Sequence, residues 1–312
     1  MKRKLAVWAA LALALCPALS LAQSNYPNRP VKIIVPFAPG GASDFVGRIM
    51  QPRLAELLGQ PIVIENRGGA AGTIGMEAGA RSAPDGYTLV LGNVGSVAIN
   101  PGVFTHLSIN NLKDFIPVTQ VVDVPGVLIV HPSVPVNSVK ELVAYVRANP
   151  GKLNYASPGA EAGMDMVHVP YKGGAGPAVT GLVAGETQMM FSTVSSAMGH
   201  IKSGRLKALA MTSPKRIQEL PDVPTMRESG YLDGSSGSWQ GVLVPAGTPR
   251  EIVDRLFAVL VQTMKTPDVI ERLAKGGAEA VTSASPKAFA DFVAAETQRW
   301  GKVAKEAGAT AD

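Results

Sequence analysis

The feature that most constrains the fold is an alternation of short β-rich runs with helical stretches, beginning at Pro30. Val31-Lys32-Ile33-Ile34-Val35 reads as a strand stopped by Pro36. Asp44 to Leu58 carries apolar residues at helical spacing (Phe45, Ile49, Leu54, Leu57, Leu58) and ends at Gly59, a C-cap signal. Pro61 to Glu65 reads as the next strand, Gly72 to Ser82 as a helix, and Tyr87 to Gly92 as a third strand. A β-α-β-α-β order implies an open, mainly parallel α/β sheet with helices on both faces. Such sheets take ligands in the crevice beyond the carboxyl ends of their strands.

A second unit begins near Val124. Val127 to Val130 is strand-like, and Val139 to Ala148 is a helix with Ser138 as N-cap. Leu153 to Ala156, Met166 to Val169, Thr187 to Phe191 and Leu206 to Thr212 are further strand candidates. Leu243-Val244-Pro245 is expected to open another strand, before helices at Arg250 to Met264, Pro267 to Lys275 and Pro286 to Ala304. Turn-rich sequence at Gly234 to Gly237 closes the middle block. The expected division is a signal segment over 1–22, a first lobe over 23–123, an inserted second lobe over 124–238, and a return to the first lobe over 239–312.

The amino-terminal residues predict export. Lys2, Arg3 and Lys4 precede an apolar run from Leu5 to Leu15, and Ser20-Leu21-Ala22 places small residues where a signal peptidase reads, so cleavage is expected after Ala22. The run is shorter than the roughly 20 apolar residues that a membrane span needs. Cys16, the only cysteine, falls inside this segment, so the mature chain is expected to lack disulfides, thiolate metal sites and cysteine nucleophiles. Without the signal, 26 basic residues face 24 acidic ones, a net +2 in place of +5. No Lys/Arg cluster is interleaved with aromatics, which argues against nucleic acid as a partner.

The most informative stretch is Pro36-Phe37-Ala38-Pro39-Gly40-Gly41-Ala42-Ser43-Asp44, which joins the first strand to the first helix. Two glycines admit a ligand close to the backbone, and the unpaired N–H groups and dipole of a helix start favour an anion such as a carboxylate. Ser43 or Asp44 would cap this helix. Gly68 to Gly75 precedes the second helix in similar fashion, or serves close packing. Gly92 to Asn100 is expected to be a loop offering small donors, and Asn154 to Gly159 and Val169 to Gly174 leave strands in the second unit. Lys172 reads as a solvated loop residue rather than a ligand clamp.

Taken in order along nearly the whole mature chain, a series of segments resembles the Bug/TctC family, the extracytoplasmic receptors of tripartite tricarboxylate transporters. The matching pieces include Tyr26 to Lys32 with the Pro-Phe-Ala-Pro-Gly-Gly loop, Glu65-Asn66-Arg67, Ala83 to Leu89, Ala98 to Pro101 and Asn154 to Ser157. Val169 to Gly173, His200 to Gly204, Leu220 to Thr225 and Pro245 to Pro249 continue the series. The resemblance implies a type II periplasmic-binding fold, two doubly wound lobes around a cleft that closes on one small carboxylate. It implies no cofactor or metal, a monomer, location in the periplasm, and delivery of ligand to the membrane permease subunits of a transporter. Phe37, Gly40, Gly41, Ala42, Ser96 and Ala98 would line the cleft from lobe one; Ser157, Gly159, Tyr171 and Ser192 would face them from lobe two.

The chain departs from the family in two places. After Asn-Tyr-Ala-Ser, on the order of fifteen residues are missing, where a crossover between parallel strands takes a dozen or more. Only eight residues separate Ser157 from Met166, so the second lobe is expected to be shortened and its two strands there not to be parallel neighbours by the usual route. Ser192 stands where relatives often carry an Asp. Three alternatives stay open: a truncated relative that binds weakly or not at all, a ligand sensor for a signalling partner such as a sensor kinase, and a secreted enzyme. Against the last, the chain has no His-Glu-x-x-His, no Gly-x-Ser-x-Gly and no phosphate loop. Its four histidines, His106, His131, His168 and His200, read as packing or surface residues.

Overall fold

The protein was described from a computed structural model covering residues 26–156, 167–169, 171, 173–231, 237–306 and 308–310. The expected signal segment and its cleavage site after Ala22 lie outside the described residues. In chain order the elements are β1 (Val31–Val35), α1 (Ala42–Leu58), β2 (Ile62–Asn66), α2 (Thr73–Ala80), β3 (Thr88–Asn93) and β4 (Phe115–Val130). There follow α3 (Val139–Ala148), β5 (Asn154–Ala156), β6 (Val167–His168), α4 (Ala175–Val183), β7 (Met189–Thr193), α5 (Val194–Lys202) and β8 (Lys207–Met211). The chain returns through β9 (Gly237–Pro245), α6 (Arg250–Met264), α7 (Pro267–Lys275), β10 (Glu279–Ala280) and α8 (Pro286–Glu306).

The strands run in the order β2-β1-β3-β9-β4-β7-β5-β6, with β8 and β10 also paired to β4. β1 is parallel to β2 and β3, while β9 lies antiparallel between β3 and β4. The long strand β4 ties the two lobes together. Its first part, from Phe115 to Pro125, pairs with β9, and Gly126 to Val130 pairs with β7 and β8. Each lobe has apolar cores on both sides of its sheet. In lobe one Ile33, Leu54, Leu91 and Val242 pack on the α1 side, and Ile34, Met76, Val90 and Phe289 on the other. In lobe two Val127, Leu182 and Met190 pack under α4 and α5, and Leu128, Leu142 and Met189 under α3. This is the two-lobed α/β architecture expected from the sequence.

Local signals place most elements well. Ser138 caps α3, its Oγ accepting from the Glu141 N–H at 3.2 Å. Gly59 ends α1 in the left-handed region (φ 71°), its N–H reaching the Ala55 and Glu56 carbonyls.

Several expectations need correction. The strand expected over Val127 to Val130 starts at Phe115; Pro117 and Pro125 hide it, but the register shifts beside Pro117 and the ladder turns to new partners after Pro125. Leu243-Val244-Pro245 closes β9 rather than opening a strand. Gly92 to Asn100 is not a loop, for Gly95–Ile99 forms a wide helical turn that runs on into Asn100–Val103. Helices α4 and α5 were not anticipated, although Ala178, Val179, Leu182 and Val183 in α4 follow helical spacing.

The largest correction concerns the shortened region. β5 and β6 are parallel neighbours after all, with Asn154 opposite Val167 and Tyr155 opposite His168. Val167 N–H donates to Leu153 O and Val169 N–H to Tyr155 O, both at 2.9 Å. A helical crossover is long because it returns the length of a full strand. A strand of two or three residues asks for a return of only about 7–10 Å, within the reach of the ten residues between Ala156 and Val167.

Candidate functional site

Beyond the carboxyl ends of β1, β2 and β3, the chain leaves β1 at Val35 and enters α1 at Ala42. Gly41 occupies the N-cap position with extended backbone and no side-chain cap. Neither Ser43 nor Asp44 is therefore the cap expected of it. Asp44, one turn in, reaches back to accept from the Gly40 N–H at 3.0 Å, and Arg48 Nε donates to both of its carboxylate oxygens at 2.9 and 3.0 Å. Burial works against the Asp44 charge, but the Arg48 and Gly40 hydrogen bonds outweigh it and hold the carboxyl below its ordinary value of 3.8. The other side of the loop is held by Asn66, whose Nδ2 donates to Phe37 O at 3.1 Å. Gly40 turns the loop at φ 85°, a region that suits glycine.

Lobe two meets this loop through Gly173 to Gly176, at the start of α4. Ala38 N–H donates to Gly173 O at 3.2 Å, a backbone hydrogen bond between the lobes. A Cβ on Gly176 would stand 2.9 Å from Pro39 O and 3.0 Å from Gly41 N, so only glycine permits this approach. Phe37 lies between the lobes. A Cβ on Gly174 would come within 2.9 Å of its ring, and one on Gly72, in lobe one, within 3.1 Å. Gly68 and Gly75 also pack against this loop, within 2.9 Å of Ala38 N and 2.6 Å of Pro36 Cα by the same measure. Close packing is thus the role of the Gly68 to Gly75 stretch.

The amino termini of α1 and α4 consequently face each other. Among the described residues, the Gly41, Ala42, Ala175 and Gly176 N–H groups carry no hydrogen bond. Unpaired N–H groups and the positive end of a helix dipole are features that favour an anion.

The residues expected to line the cleft divide into groups. Phe37, Gly40, Gly41 and Ala42 are together in the first-lobe loop, but the Gly40 N–H is already committed to Asp44. Ser96 borders the loop, since a Cβ on Gly72 would lie 3.1 Å from both the Ser96 Cβ and the Phe37 ring. Its hydroxyl is taken by Asn93, accepting from the backbone N–H at 3.1 Å. Ala98 has no exposed surface and packs in the core with Met76, Leu243 and Phe289, so it does not form the cleft floor expected of it.

In lobe two, Ser192 is buried at the end of β7, and its hydroxyl donates to Thr193 O at 3.2 Å. The Tyr171 hydroxyl donates to Glu186 Oε2 at 2.8 Å and lies beside Gly181, near the far end of α4. Ser157, Gly159 and Lys172 lie outside the described residues. Sequence reasoning missed Ala175 and Gly176. The Gly173-Gly174 pair before an apolar periodic run was the signal that could have found them.

Comparison with known proteins agrees with this architecture. Residues 46–309 match the family model of the tripartite tricarboxylate transporter family receptor, TctC. Protein BugT of Bordetella pertussis is 37% identical over 306 residues, spanning 94% of this chain and 93% of BugT. Rhodopseudomonas palustris Rpa4515, solved with adipate, is 33% identical with a TM-score of 0.86, covering 91% of this chain and 98% of that one. MatC of the same organism, solved with bound malate, is 34% identical with a TM-score of 0.82, covering 89% and 99%. With a family match over most of its length and these full-length relatives, the chain belongs to the TctC family of receptors.

Proposed function

We propose that this receptor captures a small organic carboxylate in the periplasm and delivers it to the permease subunits of a tripartite transporter. The reading rests above all on the facing amino termini of α1 and α4, whose unpaired N–H groups would receive the carboxylate. Arg48, on α1 beside the loop, is already paired with Asp44, and Arg67 with Glu65. Anion binding therefore falls to backbone donors, and binding rather than covalent chemistry is what they supply. Residues 23–123 with 239–312 form one jaw in this reading and 124–238 the other. Adipate in Rpa4515 and malate in MatC support a carboxylate of this size class.

Closure on ligand joins the two half-sites, so the ligand selects the closed arrangement over the open one. The test is thermal unfolding of the processed protein against a panel of mono-, di- and tricarboxylates, with amines and sugars as controls. A receptor that binds only when folded gains about 2.7 kcal/mol at a ligand concentration 100 times Kd. A raised midpoint with one class of acid supports the reading. A cooperative transition unmoved by every acid would overturn it.

A further inference from the structure

Beneath the first turn of α1, a neutral polar pair is left without partners. Gln240 lies on β9 between Asn93 of β3 and Val122 of β4. It has no exposed surface, and neither Nε2 nor Oε1 of its side chain has a hydrogen-bond partner. Ser43, 2% exposed, likewise has an unpartnered Oγ. Buried polar groups in native proteins are almost always paired, so two orphans in one neighbourhood call for a reason.

Topology brings them to the same place. Along β9, Val242 and Val244 face the α1 side of the sheet, whereas Trp239 and Leu243 face α8. Gln240 shares the parity of the two valines and so faces α1. It pairs with Asn93, the last residue of β3, and is therefore level with the carboxyl end of that strand. On α1, a Cβ on Gly47 would lie 3.6 Å from Leu91 Cδ2 and 3.6 Å from Val35 Cγ2. Ser43 is one helical turn nearer the amino terminus and stands over the next positions out, at the level of Asn93 and Gln240. The amide and the hydroxyl thus flank the ends of the strands, and Ser43 directly follows the free Gly41 and Ala42 N–H groups.

We propose that Gln240 and Ser43 form a neutral subsite that takes the hydroxyl of a short hydroxycarboxylate, whose carboxylate rests at the α1 terminus. This rests on the carboxylate reading and narrows it. A carboxamide presents one donor and one acceptor edge. A hydroxyl satisfies both, a second carboxylate meets only the donor, and an ammonium meets only the acceptor. Gln240 is then a specificity-determining residue, and its unpaired amide is completed by the ligand.

The experiment is calorimetric titration with matched pairs, malate against succinate and lactate against propionate, on the wild type, Gln240→Met and Ser43→Ala. The wild type should favour the hydroxyl-bearing member of a pair by about tenfold, the size of one neutral hydrogen bond. Gln240→Met should bring that ratio to within about twofold while binding the deoxy acid as well as before. Its unfolding midpoint without ligand should be unchanged or higher, because an unpaired amide is replaced by an apolar chain. Ser43→Ala, a smaller change, should reduce the ratio in the same direction. A preference that survives both substitutions, or a wild type that binds both members equally, overturns the subsite while leaving the carboxylate reading intact. A lower midpoint in Gln240→Met with the preference retained would assign the amide to structure alone. Failure of the wild type to bind any acid would overturn both readings.

Discussion

The two loops that meet across the cleft look alike in sequence and differ in what holds them. Pro36 to Asp44 and Gly173 to Ala175 both carry a Gly-Gly pair ahead of a helix with free N–H groups. The first is braced from within its own lobe, by the Gly40–Asp44–Arg48 chain and by Asn66 on Phe37 O. The second follows a strand of only two residues; the Gly174 N–H donates to Tyr171 O at 3.2 Å within its own lobe, and Gly173, Gly174 and Gly176 also meet lobe one at the Ala38 N–H, the Phe37 ring and Pro39 O. Lobe one's loop is thus held by side-chain hydrogen bonds from its own lobe, while lobe two's loop leans in part on lobe one. Ligand affinity should be most sensitive to substitutions that act on the contact between the loops.

The strongest way to break this relation is Gly176→Ala. Its methyl would meet backbone atoms at 2.9 and 3.0 Å, which no rotamer change relieves. Overpacking of this kind costs about 1–3 kcal/mol, so carboxylate affinity should fall roughly ten- to a hundredfold. Small-angle scattering should show a more open molecule, and the unfolding midpoint should hold, since alanine favours a helix. Unchanged affinity would mean that closure does not pass through this contact.

Phe37→Ala should come next. It removes the ring that Gly72 and Gly174 enclose, and affinity should drop about tenfold with loss of roughly 1–2 kcal/mol of apolar burial, measured by calorimetry. An unaffected Kd would remove Phe37 from the interface.

Asp44→Asn should separate stability from binding. Losing the charged bonds to Arg48 and Gly40 should cost about 1–2 kcal/mol in chemical denaturation. Removing a negative charge from beside the proposed anion site should instead raise carboxylate affinity a few-fold, in line with helix-terminus effects of about 0.3–1 kcal/mol. Because folding lowers the Asp44 pKa, its contribution is complete above the ordinary 3.8 and is lost as pH falls through the lowered value. The stability gap between wild type and variant should be flat from neutral pH down to about 5 and close below 3.8. A gap that widens in acid would reverse the assignment.

The smallest effect is expected at Gly41→Ala. The added methyl would meet Gly176 N at 3.6 Å and Ala38 O at 3.8 Å, ordinary contacts. Affinity and stability should each change by less than about 0.5 kcal/mol. The contrast with Gly176→Ala sharpens the point that tolerance depends on which loop bears the change, though both positions are glycines at helix starts.

Much of the fold was legible because its signals are local. The spacing of Ile49, Leu54 and Leu58, the Gly59 cap and the Ser138 cap act within a turn or two of helix, and the elements they mark appear where expected. The strand from Phe115 was missed because two prolines suppress strand propensity while tertiary pairing tolerates them at a register shift and at a change of partners. The parallel pairing of β5 and β6 departs from what full-length strands require because these strands have only three and two residues. At the site, the Gly40-Gly41 loop was visible as a helix entrance. The commitment of Gly40 to Asp44, the burial of Ala98 and the turning of Tyr171 onto Glu186 were not.

Sequence alone determined the α/β alternation, the Gly59 and Ser138 caps, the family and the glycine-rich entrance to α1. Each depends on neighbours a few residues apart, or on an ordered series of segments that can be read without coordinates. Tertiary structure alone decided which donors remain free, which serines are already satisfied, and that Gly176 meets Gly41 across 135 positions of sequence. It also decided that Gln240, on a returning strand, faces the first helix from within the sheet. Hydrogen-bond satisfaction and close approach belong to pairs of groups brought together by folding, and neither member of such a pair carries the other's position in its own local sequence.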